Sequence, residues 1–132
     1  MRIEGWETLL HQHIEEARHS VFAWGENDCA LWCAKWIAAI TSVDLTGEWK
    51  GLYSTEEGLR DLMQSRGYRS VEEIADHTAF PIMDRAFAQR GDIVLHPHGC
   101  LGICNGLVSY FLTEQGFTKL RTMQCIKAWK IS

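Results

Sequence analysis

The chain has 132 residues, 46% of them hydrophobic and 23% charged, with a formal net charge of −4 at pH 7. That length supports one core and not two, and the composition excludes long disorder, collagen-like repeats and coiled coil. The mild acidity argues against a nucleic-acid binder, which needs clustered Lys and Arg to displace counterions from phosphates.

The elements follow in chain order. Trp6, Leu9, Leu10, His13, Ile14 and Ala17 recur at steps of three and four, which predicts a helix over about 5–18. A short extended segment, Ser20 to Trp24, leads to Gly25-Glu26-Asn27-Asp28, where Asn27 or Asp28 supplies the N-cap of a second helix. That helix, Cys29 to Ile40, is apolar on nearly every side and is expected to be the buried central one. Thr41 to Tyr53 has no period and reads as a loop, with Trp49 and Tyr53 as candidates to face a partner or substrate. Ser54 and Glu57 form a capping box for a third helix over about 55–66, stopped by Gly67; Ser70 and Glu73 repeat the signal for a shorter one ending near His77.

Thr78 to Gln89, around Pro81, is irregular. Beyond Gly91 the period becomes that of strands: Asp92 to His96, then Cys100 to Cys104. Asn105-Gly106 is expected to fill a two-residue hairpin turn into Leu107 to Leu112, a register that pairs Cys100 with Phe111 and His98 with Thr113. After Gln115-Gly116 come Phe117 to Thr122 and a last segment through Cys125 and Trp129. Helices first and an antiparallel sheet second make an α+β domain, one unit over residues 1–132. The longest apolar stretch, Ala30 to Ile40, is broken by Lys35 and is too short to cross a bilayer. The glutamate-bearing N-terminus lacks the pattern of a secretory signal, so a soluble protein synthesised in the cytosol, with no membrane partner, is expected.

Five cysteines, at 29, 33, 100, 104 and 125, cannot all pair and favour free thiols, ligands or a nucleophile. Cys29 falls in the first turn of the central helix, where free amide hydrogens and the helix dipole should lower a thiol pKa, while Cys33 lies one turn deeper and should be a packing residue. The sheet offers His96 and His98, flanking Pro97, as bases. A cysteine at a helix N-terminus with a histidine from a following strand is the papain-like arrangement; the alternative is a buried cysteine and two loop histidines.

Trp24-Gly-Glu-Asn-Asp-Cys29-Ala-Leu-Trp32 resembles the signature that opens the catalytic helix of NlpC-type cell-wall peptidases, and Arg90-Gly-Asp-Ile-Val-Leu95 resembles their Gly-Asp-Leu-Val strand. The whole chain is similar to small NlpC-like proteins of bacteriophage tail modules, down to Cys125-Ile-Lys-Ala-Trp129 near its end. The resemblance implies a papain-like fold, no cofactor, and cleavage of peptide or amide bonds in peptidoglycan stems with Cys29 as nucleophile. It also implies peptidoglycan or other tail proteins as partners, synthesis in the bacterial host cytoplasm, and a place in the virion tail if the protein is incorporated. The pattern departs at one position. Laying Cys100-Leu-Gly-Ile103 on the family's His-Val-Gly-Ile run puts Cys100 where the catalytic imidazole should be.

A straight strand would leave His98 roughly 7 Å from that position, a gap that only a bend or bulge at Pro97 and Gly99 would close. The resulting set is Cys29 as nucleophile, His98 as base and Thr113 as an unusual orienter, with His96 as the alternative base. A catalytically degenerate tail-tip or tail-assembly component is the first alternative. A metal-stabilised module is the second, since Cys29, Cys33, His96, His98, Cys100 and Cys104 could converge between helix and sheet as soft donors. His11, His13 and His19 do not share a helix face, and the glutamates at helix starts are explained by capping and the dipole.

Overall fold

The computed structural model describes residues 2–131. The helices are α1 (Trp6–Arg18), α2 (Cys29–Thr41), α3 (Glu56–Ser65) and α4 (Val71–Asp76). The strands are β1 (Ile82–Met83), β2 (Ile93–Leu95), β3 (Leu101–Cys104), β4 (Val108–Thr113), β5 (Gly116–Arg121) and β6 (Ala128–Trp129), joined in one sheet of order β1-β6-β2-β3-β4-β5. Every pairing is antiparallel. The helices-then-sheet reading holds, and the structure is α+β. Two features were not legible in the periodicity: β1 emerges from the irregular stretch around Pro81, and the segment before Gly25 makes only one isolated bridge, Ala23 to Asn27.

Strand alternation divides the interior. Ile93, Leu95, Leu101, Ile103, Leu112 and Trp129 face α1 and α2 and form the main core with Leu10, Ile14, Trp36 and Ile40. Val94, Cys104, Phe111, Cys125 and Ala128 point to the opposite face, all of them inaccessible to solvent. A third cluster joins Leu31 of α2 to Tyr53 and to Leu59 and Met63 of α3. Both faces of the central strands are therefore buried, which explains why β2 and β3 are apolar at nearly every position and not alternating.

The helix starts follow local rules with small displacements. Thr55, and not Ser54, caps α3 by accepting from the Gly58 amide. Ser70 caps α4 as expected, but Glu73 reaches back one residue further than a capping box does and accepts from the amide of Arg69. At α2, Asp28 is the cap. One buried carboxylate ties the sheet to distant segments: Asp92 accepts from the Arg2 guanidinium at 2.8 Å, from the Gln89 amide at 2.8 Å and from the Ile131 amide at 3.0 Å. Next to it the buried Trp36 indole donates to the Gly91 carbonyl at 2.8 Å, fixing α2 against the entry to β2.

The β3–β4 hairpin differs from expectation by one residue in its turn. Asn105 pairs with Val108, so the two turn residues are Gly106 and Leu107, and only Gly106 has positive φ, at 94°. A turn with positive φ at its first central position alone is of the II′ kind, which needs glycine there and leaves Asn105 inside the ladder. The register moves by two: Ile103 pairs with Tyr110 and Cys104 with Ser109. Extended along the strands, this sets Gly102 opposite Phe111 and Cys100 opposite Thr113. The expected pairings of Cys100 with Phe111 and of His98 with Thr113 are thereby corrected.

Candidate functional site

Cys29 is the first residue of α2, and the cap beneath it is unusually well held. The Asp28 carboxylate, 1% exposed, accepts from the Leu31 amide at 2.9 Å, from the Gly25 amide at 3.0 Å and from the Tyr53 hydroxyl. A carboxylate thus already occupies the positive end of the helix. Gly25 is required for this approach. Its φ is 80°, and a Cβ there would run into the Tyr53 carbonyl. Tyr53, expected to face a partner, is instead a core residue serving this cap, and Trp49 is half-buried under the Arg66 guanidinium, 4.6 Å from its ring.

On the sheet side the chain turns sharply between β2 and β3. His96 pairs with Cys100, and Gly99 donates back to the His96 carbonyl at 2.8 Å, so Pro97, His98 and Gly99 form a three-residue loop ending in a glycine with φ 95°. Type I geometry followed by a left-handed glycine is the usual solution for a hairpin loop of this length. The bend that Pro97 and Gly99 permit is therefore present, but it places His98 exposed at the tip of the turn rather than along a straight strand with Cys100 and Gly102.

These two ends meet at one cleft of about 560 Å³, whose wall includes Cys29, His96, His98, Cys100 and Thr113. Every residue singled out from the sequence as nucleophile, base or orienter therefore lines the same space. Phe22, Trp24 and Glu56 complete part of the wall, with Phe22 and Trp24 in edge-to-face contact at 4.9 Å. Glu56 had been accounted for by helix capping; only the path of the loop before α3, which has no sequence signal, brings it here.

Within the cleft the chemistry departs from a hydrolytic triad. The neighbouring Cys100 thiol, followed by burial, pushes the Cys29 pKa well above the ordinary thiol value. The expectation that helix position lowers it is corrected: burial penalises the thiolate, and the neighbour is a second thiol, not a cation. The Cys29 thiol beside it lowers the pKa of Cys100. No hydrogen bond joins Cys29 to an imidazole among the described residues.

His96 accepts the His98 backbone amide on Nδ1 at 3.0 Å, which commits its lone pair and leaves Nε2 carrying the proton when the ring is neutral. Burial, then the neighbouring His98, lowers its pKa. It is poorly arranged to act as a base. The Thr113 hydroxyl donates to the Gly116 carbonyl at 2.8 Å across the β4–β5 turn, and so braces that turn instead of orienting His98.

The converging metal set does not form. Cys33 packs in the helix-side core, Cys104 lies on the opposite face of the sheet, and no group of three His, Cys, Asp or Glu side chains among the described residues is placed to hold a metal ion. His13, set aside as a joint site with His11 and His19 because they share no helix face, bonds through Nε2 to the Trp32 carbonyl at 2.9 Å and stacks on the Trp32 ring.

Fold and cleft together define a helix-first α+β domain with a thiol pair at the mouth of its central helix. The chain belongs to the family described as a domain of unknown function (DUF6950), whose model matches residues 1–131. No curated protein and no solved structure matches it. No helix among the described residues is long and apolar enough to cross a membrane.

Proposed function

We propose that this chain is a papain-like domain of the NlpC type from a bacteriophage tail module, with a cleft that binds a peptide of peptidoglycan-stem chemistry or a segment of another tail protein without hydrolysing it. Support comes from the central helix opening on Cys29, its packing across β3, and the position of Cys100 where the resemblance calls for an imidazole. The observation that carries the non-hydrolytic form is that no hydrogen bond joins Cys29 to an imidazole among the described residues, while the Cys100 thiol lines the cleft beside it. Thiol hydrolysis needs a thiolate and a base within hydrogen-bond reach, and here the nucleophile's pKa is raised and its partner is a thiol. Scaffold and activity are separable in this way, since chemistry resides in the site. Its place would be the host cytoplasm and, on incorporation, the virion tail.

A second reading, an active thiol peptidase or amidase with Cys29 as nucleophile and His98 as base, is favoured by one observation: both residues line the same cleft. One experiment separates the two. The protein is mixed with purified sacculi, bound protein is measured by sedimentation, and released muropeptides are identified by mass spectrometry. The expected result is sedimentation that Cys29→Ala leaves intact, no release by the wild type, and weak release by Cys100→His, which restores the missing imidazole. Release by the wild type that is abolished in both Cys29→Ala and His98→Ala establishes the hydrolase instead. Failure to bind sacculi, stem peptides or tail subunits overturns both readings.

A further inference from the structure

We propose that the free edge of β5 docks an extended segment of a partner protein that carries carboxylates on alternate residues and adds to the sheet as a seventh strand. Nothing in this pairing depends on the cleft reading. β5 ends the strand order on one side and β1 on the other, and the two edges are built differently. β1 is two residues long and directly follows Pro81, a common way for a sheet to blunt an edge. β5 runs for six residues, contains no proline, and pairs with β4 in unbroken register from Gly116 opposite Thr113 to Arg121 opposite Val108. Its outward backbone groups follow from the hydrogen bond that closes the β3–β4 turn. The Asn105 amide donates to the Val108 carbonyl at 2.9 Å, so Val108 and Tyr110 turn their backbone groups to β3, while Ser109, Phe111 and Thr113 turn theirs to Leu120, Thr118 and Gly116 of β5. Phe117, Lys119 and Arg121 are left with amides and carbonyls directed away from the sheet. Phe117 and Lys119 make no backbone hydrogen bond elsewhere among the described residues.

Side chains on the two faces of this edge name the partner. Phe117 points toward the helices, stacked on Tyr110 at 5.3 Å and edge-on to Trp32 at 6.1 Å. Lys119 and Arg121 share its parity and therefore its face, and both are exposed and take part in no ion pair among the described residues. The Arg18 guanidinium, itself 3.3 Å from Glu15, lies over the Phe117 ring at 5.1 Å and adds a third cation on that side. On the other face stand Thr118 and Leu120, the latter packed against the cluster of Val94 and Phe111. In an antiparallel strand laid along β5, the residues opposite Lys119 and Arg121 exchange backbone hydrogen bonds with them and share their face. Those positions take Asp or Glu, and the intervening ones, beside Thr118 and Leu120, take β-branched or apolar side chains. A second copy of this chain is the wrong occupant, because the register that engages all three outward residues sets Lys119 directly against Lys119 of the other copy.

The test uses the full chain and short, capped, fluorescently labelled peptides, read by anisotropy. A peptide of alternating glutamate and valine should bind, and its lysine and valine counterpart should not. N-methylation of the glutamate amides removes the donors that face β5 and should abolish binding, whereas N-methylation of the valine amides, which face solvent, should leave it largely intact. Lys119→Glu combined with Arg121→Glu should weaken binding at least about tenfold. Lys119→Pro removes an outward donor without touching the β4 ladder and should also weaken it, with circular dichroism confirming that each variant is folded. Equal binding of the lysine peptide, equal tolerance of N-methylation at either set of amides, or no binding of any peptide would each overturn the proposal. So would a wild-type dimer that Lys119→Pro converts to monomer. Sacculi and Cys29 play no part in the readout, so edge docking and the peptide-cleft reading fail separately.

Discussion

Replacing Asp28 by alanine tests the physical basis of the site most directly. The side chain serves three donors from a position that is 1% exposed: the Leu31 amide as a helix cap, the Gly25 amide and the Tyr53 hydroxyl. Losing the cap costs about 1 kcal/mol. The Gly25 and Tyr53 donors, left without an acceptor, cost about 1–3 kcal/mol each, less whatever water recovers. We therefore expect Asp28→Ala to destabilise the fold by about 3–5 kcal/mol. With unfolding entropy near 2.1 cal/mol/K per residue, that lowers Tm by about 10–18 °C for a chain of this length. Asp28→Asn keeps an acceptor for Leu31 and should lose only about 1–2 kcal/mol. The measurement is urea denaturation followed by tryptophan fluorescence and circular dichroism, with the slope m unchanged to exclude an altered denatured state. Tyr53→Phe in the alanine background removes one orphan and should recover about 1 kcal/mol, a coupling that a double-mutant cycle isolates. If Asp28→Ala unfolds within 1 kcal/mol of the wild type, the carboxylate is not the hub of this corner.

Two further outcomes follow from the packing. Gly102→Ala would drive a methyl into the Phe111 ring and the Tyr110 carbonyl, neither of which can retreat, and should cost about 3 kcal/mol, read as a lower urea midpoint; a neutral result would mean that β3 and β4 are not in this register. Burial lowers the His13 pKa below its ordinary 6.5, so the unfolded chain takes up a proton that the fold resists. The stability this group contributes is present above about pH 6.5 and is lost as pH falls through the lower folded value. His13→Gln should therefore flatten the fall in stability between pH 7 and pH 5, and equal slopes in the two proteins would refute the assignment.

Helix and strand order were legible because they are set by periodicity: α2 announces itself through its uniform apolarity and the polar Asn27-Asp28 before it, and β2 and β3 through apolar runs after Gly91. The site was legible in its membership, since Cys29, His96, His98 and Thr113 do share one cleft. Its internal geometry was not. Asn105-Gly106 and Gly106-Leu107 can each fill a two-residue turn, yet the choice moves the register by two and sends Thr113 from His98 to Cys100. The raised pKa of Cys29 depends on a thiol contact between α2 and β3, which no local pattern encodes. Tyr53 looked like a loop aromatic because its partner, Asp28, lies 25 residues away and is already sufficient as a cap.

Gly102 leaves a gap in the side-chain column of β3, and the Phe111 ring fills it from the neighbouring strand before continuing to meet the His96 imidazole edge-on at 5.0 Å. The two positions behave as a single volume shared between strands. Neither can enlarge or shrink alone, so drift at one is tied to compensation at the other. An imidazole that lines the cleft thus takes its bearing from an atom that residue 102 does not have.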